Sequence, residues 1–155
     1  MWAAVIAEAR QPHWYAEGGV EDSVTGRFDM VSMVTSLVLL RMEGRPEMAA
    51  PSALLTECFV EDMEGQLREF GVNDVVVGKR VGKLVGSLGG RLGALRDAMP
   101  KGEAAVAEVV SRNMRLIEAG SPEGISRKLI ALGQRLDSTS DEALLAGEIN
   151  AGASE

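Results

Sequence analysis

Few residues in this chain could do chemistry, and in each case the neighbours decide the matter. Residues 77–87, VGKRVGKLVGS, alternate glycine with cations in a way that first suggests a phosphate-binding loop. Such a loop needs a set glycine-to-lysine spacing, a following Ser or Thr for Mg2+, and a strand before it, because turn N–H groups cradle the phosphates. Here the step from Gly78 to Lys83 is wrong, Leu84 stands where the hydroxyl belongs, and no strand-like segment precedes it. Cys58 is the lone cysteine and falls beside the apolar side of its segment, the setting of an inert buried thiol and not of a nucleophile. His13 is the lone histidine and has no second metal ligand nearby. Glu57, Glu61, Asp62 and Glu64 are dense enough to raise a di-iron site. That chemistry requires inward-facing glutamates and a Glu-x-x-His motif, which the chain lacks. These acids read as a solvated helix face or an electrostatic docking surface. No catalytic, metal-binding or cofactor-binding residue is expected.

Elements of one kind carry these residues. The chain has 155 residues, 46% of them hydrophobic and only 4% aromatic, so one domain with a core of Leu, Val, Ile, Met and Ala is expected. The net charge of −7 argues against nucleic acid, DNA in particular, as the main partner. A single cysteine leaves no internal disulfide and fits a reducing compartment. The N-terminal MWAAVIAEARQPHWY lacks the basic start and cleavage sequence of a secretory signal. The apolar run MVSMVTSLVLLRM is shorter than the ~20 residues needed to span a bilayer. A soluble, cytoplasmic protein is therefore expected.

Helical periodicity recurs along the chain. A short helix over 2–10 stops before Pro12, and a turn-rich stretch follows, with Trp14 and Tyr15 as anchors. The next helix, 28–42, begins near Thr25 or Gly26 and is apolar on nearly every side except Asp29, Ser32 and Ser36, so it belongs at the centre of a bundle. Over 52–70, Leu55, Phe59, Met63, Leu67 and Phe70 mark one buried face. Gly71 suits the left-handed cap of that helix, and Asp74 the cap of the next. Residues 103–119 place Val106, Val109, Val110, Met114 and Ile117 on one side. Gly120, Ser121 and Pro122 stop one helix and start another, driven by Ile125, Leu129, Leu132 and Leu136. Thr139 with Glu142 reads as a capping box for a last short helix. No stretch shows sustained strand alternation. The expectation is an all-α, single-domain bundle of about six helices over residues 1–149, with a frayed tail at 150–155.

The segment at 74–97 is the unusual one. Glycine occupies 78, 82, 86, 89, 90 and 93, although each interior glycine costs a helix about 1 kcal/mol relative to alanine. At helical period the glycines gather on one side. Val77, Val81, Leu84, Val85, Leu88, Leu92 and Leu95 form a second stripe, and Lys79, Arg80, Lys83, Ser87 and Arg91 a third. Two accounts of the glycine stripe stay open. Either a neighbouring helix of the same chain packs closely on it, or Gly78, Gly82, Gly86, Gly89 and Gly90 with Val85 form an open surface for an apolar partner helix. Arg27, Lys79, Arg80, Lys83 and Arg91 would then contact acidic groups, lipid headgroups or ribosomal RNA. For Arg27 and Asp29 an ion pair that fixes the bundle explains the charges equally well, as does a pairing of Asp62 with Arg68 or Lys79.

Specific residues also resemble a known family. ARQPHWYAEGGVEDSVTGRFDMVSMVTSLVLLRM, then FVEDMEGQLREFGVNDVVVGKRV, then GR at 90–91 resemble the ubiquinol–cytochrome c chaperones, in order over residues 7–95. The pieces that carry it are Tyr15, GRFD at 26–29, Glu61, Asp62 and Met63, Arg68, Gly71, Asp74, and VGK-R at 77–80. The chain departs from the family pattern at Gly82, Gly86, Gly89 and Gly93, where larger residues are usual. The resemblance implies a non-enzymatic helical chaperone, of bacterial type, that binds newly made cytochrome b for the respiratory bc1 complex. Candidate further contacts are the ribosome, the cytoplasmic face of the inner membrane and, as in mitochondrial members (which act in the matrix), a second small assembly factor. Tyr15, Asp29, Asp62, Arg68 and Asp74 become either structural or client-contacting. Two other classes remain open: a carrier of a quinone or lipid in a closed Met- and Leu-lined pocket, and a scaffold or adaptor with a large flat apolar patch.

Overall fold

The computed structural model describes residues 1–69, 71 and 73–149, and of Asp74 the backbone alone. Among these residues the chain is an all-α bundle. Its helices are α1 (Trp2–Ala9), α2 (Pro12–Tyr15), α3 (Val24–Met42), α4 (Ala49–Glu69), α5 (Asp74–Ala98), α6 (Glu103–Asn113), α7 (Pro122–Ser138) and α8 (Asp141–Leu145), with 3-10 turns at Pro46–Met48 and Met99–Lys101. The expected helices, the last short one included, are all present, and α2 adds a single turn where a turn-rich stretch was expected.

The apolar-all-round helix is central, as its composition requires. Every residue of α3 from Asp29 to Leu39 is buried, and α1, α4, α5 and α7 pack around it. It starts four residues before the expected Phe28, because Ser23 caps it by accepting from the Gly26 N–H at 3.1 Å. Gly26 has no room for a side chain: a Cβ there would lie 1.8 Å from the Glu21 carbonyl oxygen.

Three expected boundaries move. Asn73 caps α5, its side-chain oxygen accepting from the Val76 N–H at 3.1 Å, so the cap lies one residue before Asp74. Ser140, not Thr139, caps α8 by accepting from the Ala143 N–H. The Thr139 hydroxyl instead donates back to the Arg135 carbonyl at 2.7 Å, so the Thr139–Glu142 capping box does not form. The largest change is at α6, which ends at Asn113 and not at 119. From Met114 the chain is extended and Leu116 bridges to Val20. The Glu21 N–H donates to Arg115 O at 3.0 Å and the Ile117 N–H to Gly19 O at 2.8 Å. Backbone groups that would have extended the helix are satisfied across the chain instead. This close approach needs Gly19, which has φ +80° and whose added Cβ would lie 2.4 Å from Gly120 Cα. Met114 remains buried while Ile117 is half-exposed.

On α4 the expected face of Leu55, Phe59, Met63 and Leu67 is buried, and Phe70 lies outside the described residues. Most of the apolar interior forms one cluster, with Trp14 and Phe59 its largest fully buried side chains. A small satellite cluster, Leu67, Val77 and Val81 with Val60 and Leu84 at its edge, draws on α4 and α5 alone. The far end of this helical hairpin thus rests on its own few contacts.

Long-range polar links tie the chain's second half to α3. Arg41 is almost fully buried and donates to the Leu136 carbonyl at 2.8 Å, the Thr139 carbonyl at 2.6 Å and Asp141 at 2.9 Å. It caps the end of α7, where the helix dipole favours a cation. Arg45 reaches the same Asp141 oxygen at 2.7 Å. These two guanidiniums, Arg41's hydrogen bond first, hold the Asp141 carboxyl below its ordinary value. A carboxyl shifted down stabilises the fold above its unfolded-state pKa, near 4, and loses that effect as pH falls through the folded-state value. Asp141→Asn should therefore melt below the wild-type chain at pH 7, with the gap closing in thermal melts taken progressively below about pH 4.

Candidate docking surface

The site is built from α5, a 25-residue helix about 37 Å long. Val77, Val81, Leu88 and Leu95 are buried on one side. The opposite side is bare. Gly78, Gly82, Gly86, Gly89 and Gly90 are exposed, and a Cβ built on any of the five would meet nothing within 4 Å. At Gly93 the only neighbour in reach is the Arg96 guanidinium, at 3.9 Å. Internal packing of a neighbouring helix against this stripe is thereby overturned among the described residues. Val85 is 38% exposed, and Val75 at the N-terminal end is 75% exposed. Lys79, Arg80 and Lys83 are exposed and make no ion pair with any described residue.

Arg91 belongs elsewhere. It is three residues after Leu88 and four before Leu95, which sets it on the edge of the buried face. Its guanidinium donates to Asp29 at 2.9 Å and to the Asn113 carbonyl at 2.8 Å, and the two side chains of the pair are each 11% exposed. The second Asp29 oxygen accepts from the Arg115 N–H at 2.9 Å. Burial raises the Asp29 carboxyl and lowers the Arg91 guanidinium, each shift opposed by their mutual attraction. Arg91 is thus a corrected assignment: it joins α3, α5 and the extended strand after α6, and presents no free charge to a partner.

The other expected site residues scatter. Arg27 parts from Asp29 and pairs at the surface with Asp22 at 2.9 Å. Tyr15 donates its hydroxyl to Ala9 O at 3.0 Å. Asp62 takes a long 3.5 Å hydrogen bond from Gln66, and Arg68 approaches Glu64 at 3.8 Å on the same helix, so Lys79 pairs with neither. The side chain of Asp74 lies outside the described residues. His13 stacks obliquely on Trp14 and stands 3.8 Å from Glu8, a fully buried carboxyl that also meets Arg135 at 3.4 Å. The periodicity of α1 marks Glu8 as inward, next to Ala9, a signal easily passed over in so short a helix.

Several clefts open elsewhere among the described residues, and two bear on function. One, of about 590 Å³, is apolar and is lined by Trp2, Leu54, Leu55, Cys58 and Leu145, among others. The lone cysteine is thus half-buried at a cleft wall and not enclosed. The other, of about 760 Å³, brings Arg10, Tyr15, Asp22 and Arg27 together. Both are open at the surface, so neither is the closed chamber that a carrier of a small apolar ligand needs; a smaller and more enclosed cleft of about 240 Å³ has Leu37, Leu40, Met99 and Leu136 in its lining. Among the described residues no group of three His, Cys, Asp or Glu side chains is placed to hold a metal ion, and no helix is long and apolar enough to cross a membrane.

With this geometry in hand, known proteins supply the decisive observation. The ubiquinol-cytochrome C chaperone family matches residues 16–151, nearly the whole chain. The chain belongs to the ubiquinol–cytochrome c chaperone family. The crystal structure of the Cbp3 homolog from Brucella abortus matches it with a TM-score of 0.82 and 33% sequence identity, covering 95% of this chain and 83% of that one. No curated protein matches the chain. The family assigns it a chaperone role, and the family's name ties that role to respiratory bc1 assembly. The match extends past residue 95, so α6 and α7 are part of the family domain although their sequences add no recognisable motif.

Two predictions follow from α5. Removing Arg91 leaves Asp29 buried and unpaired, so Arg91→Ala should cost about 3 kcal/mol or more in urea unfolding. Gly82→Ala and Gly86→Ala should each stabilise the chaperone by up to ~1 kcal/mol and raise its melting temperature by about 2–4 °C, because the new methyl group meets nothing.

Proposed function

We propose that this chaperone receives newly made cytochrome b on the exposed face of α5, against Gly78, Gly82, Val85, Gly86, Gly89 and Gly90. The observation that carries the reading is the bare backbone of that face, left uncovered by the chain's own helices. An exposed glycine row lowers helix stability with no packing gain inside the molecule, so its use is sought outside it. An apolar transmembrane helix can approach a side-chain-free surface closely, gaining many dispersion contacts. Lys79, Arg80 and Lys83 alongside are available to hold acidic residues at the ends of such a guest, or to rest on anionic lipid or ribosomal RNA. On this reading the chaperone works at the cytoplasmic face of the inner membrane as a peripheral protein. A second assembly factor is a partner only if the chain behaves as mitochondrial members do.

Two features support this over a ligand carrier. The clefts beside α2 and at the start of α4 are open to solvent, and the family is one of chaperones. Site-specific photocrosslinkers at Gly82 and Gly86 should capture cytochrome b in cells. Lys79→Glu with Lys83→Glu should reduce its co-purification severalfold while the fold, followed by circular dichroism, is retained. Undiminished recovery of cytochrome b by the double variant, with no crosslink from either glycine, would sink the assignment of this face.

A further inference from the structure

The cleft of about 760 Å³ beside α2 has a composition that the glycine face lacks. Arg10, just after α1, is exposed, and its guanidinium has no hydrogen-bond or ion-pair partner among the described residues. Arg27, near the start of α3, is engaged only by Asp22, in an ion pair whose two side chains are each more than 60% exposed. Exposed pairs of this kind hold weakly and exchange readily with a competing anion. The same cleft is lined by the ring of Tyr15 and by Ile117, which is 48% exposed, while Val20 lies buried beneath it. Tyr15 feels both guanidiniums: burial raises its hydroxyl, and Arg27 and Arg10 each pull it back.

The walls are preformed. Val20 is bridged to Leu116, the Ile117 N–H is bonded to Gly19 O, and the Tyr15 hydroxyl is tied to Ala9 O. A guest here would meet side chains on a locked backbone and pay little ordering entropy. Tyr and Arg over a small apolar floor is also the composition of protein-binding hot spots. In a chain of net charge −7, the cleft carries two guanidiniums against the single carboxylate of Asp22, so its local charge is positive.

We infer that this cleft is a second recognition site, one that takes an acidic–apolar peptide segment of a partner protein: a Glu or Asp carboxylate on Arg10 and Arg27, with a neighbouring large apolar side chain against Tyr15 and Ile117. A carboxylate matches the planar guanidinium fork, and an adjoining apolar group matches the floor. The site is independent of α5, so its failure leaves the cytochrome b reading of the glycine face untouched, and the reverse holds equally.

The test uses the full chain, labelled with 15N and with 13C methyl groups, and three probes. These are a capped peptide alternating Leu with Glu, the same peptide with Gln for Glu, and phosphatidylglycerol vesicles. The acidic peptide should shift the Arg10 and Arg27 side-chain N–H signals together with the Ile117 methyl signal. The Gln peptide should bind about tenfold more weakly or not at all. Arg10→Glu, an exposed change that leaves the fold intact, should weaken the acidic peptide by about tenfold, whereas Asp22→Asn, which frees Arg27, should tighten it. Equal binding of both peptides, indifference to Arg10→Glu, no shift at Ile117, or a response to vesicles but not to the acidic peptide would each overturn the inference.

Discussion

The buried pair of Asp29 and Arg91 sets the rotation of α5, and the character of the surface depends on that rotation. The two side chains meet at the contact of α3 and α5, and their remaining hydrogen-bonding capacity goes to the Asn113 carbonyl and the Arg115 N–H in the strand that follows α6. Turning α5 about its axis would strand a carboxylate and a guanidinium in an apolar interior, which costs far more than a displaced leucine. With Leu88, Arg91 and Leu95 held inward, the glycines have one direction left, and they face solvent. The same pair ends α6, because the Arg115 backbone that would have continued a helix is drawn to Asp29.

A chaperone for a membrane protein faces a particular difficulty. Its client is apolar over long stretches, and a chaperone surface of large exposed apolar side chains would bind itself as readily as its client. A bare backbone strip avoids this. Without a guest it exposes little apolar side-chain area, and with a guest it permits close helix-to-helix approach. The stability given up is offset by the opposite stripe of α5, where Val77, Val81, Leu88 and Leu95 pack inward. Among the described residues, the first turns of α5 pack in the small satellite cluster shared with α4 and not in the main core.

Local pattern made much of this legible. The stripe of glycine, the stripe of leucine and valine, and the stripe of lysine and arginine come from residue order and a 3.6-residue period, and α5 keeps them except that Arg91 turns inward and Val85 outward. So does the centrality of α3, since a helix apolar on most sides has nowhere else to lie. The errors cluster where partners are distant. Arg91 has its carboxylate 62 positions away, and Arg41 reaches carbonyls and a carboxylate 95 to 100 positions away. Periodicity overruns the far end of α6 because a backbone bridge from Val20 competes with the helix, and a bridge has no side-chain periodicity to announce it. Glu8 and Arg135 escaped for the same reason as Arg41: a lone charge on an apolar stripe names no partner.

By itself, then, the residue order determined the helices, their buried stripes, the absence of sequence motifs for catalysis and the resemblance to a chaperone family, because each rests on local period or on short contiguous motifs. Only the tertiary structure decided whether the glycine stripe is covered, which charges are internal, and that Arg10, Tyr15 and Arg27 share one cleft. Those outcomes depend on which groups, far apart along the chain, must satisfy one another once water is excluded, and no local pattern encodes that pairing.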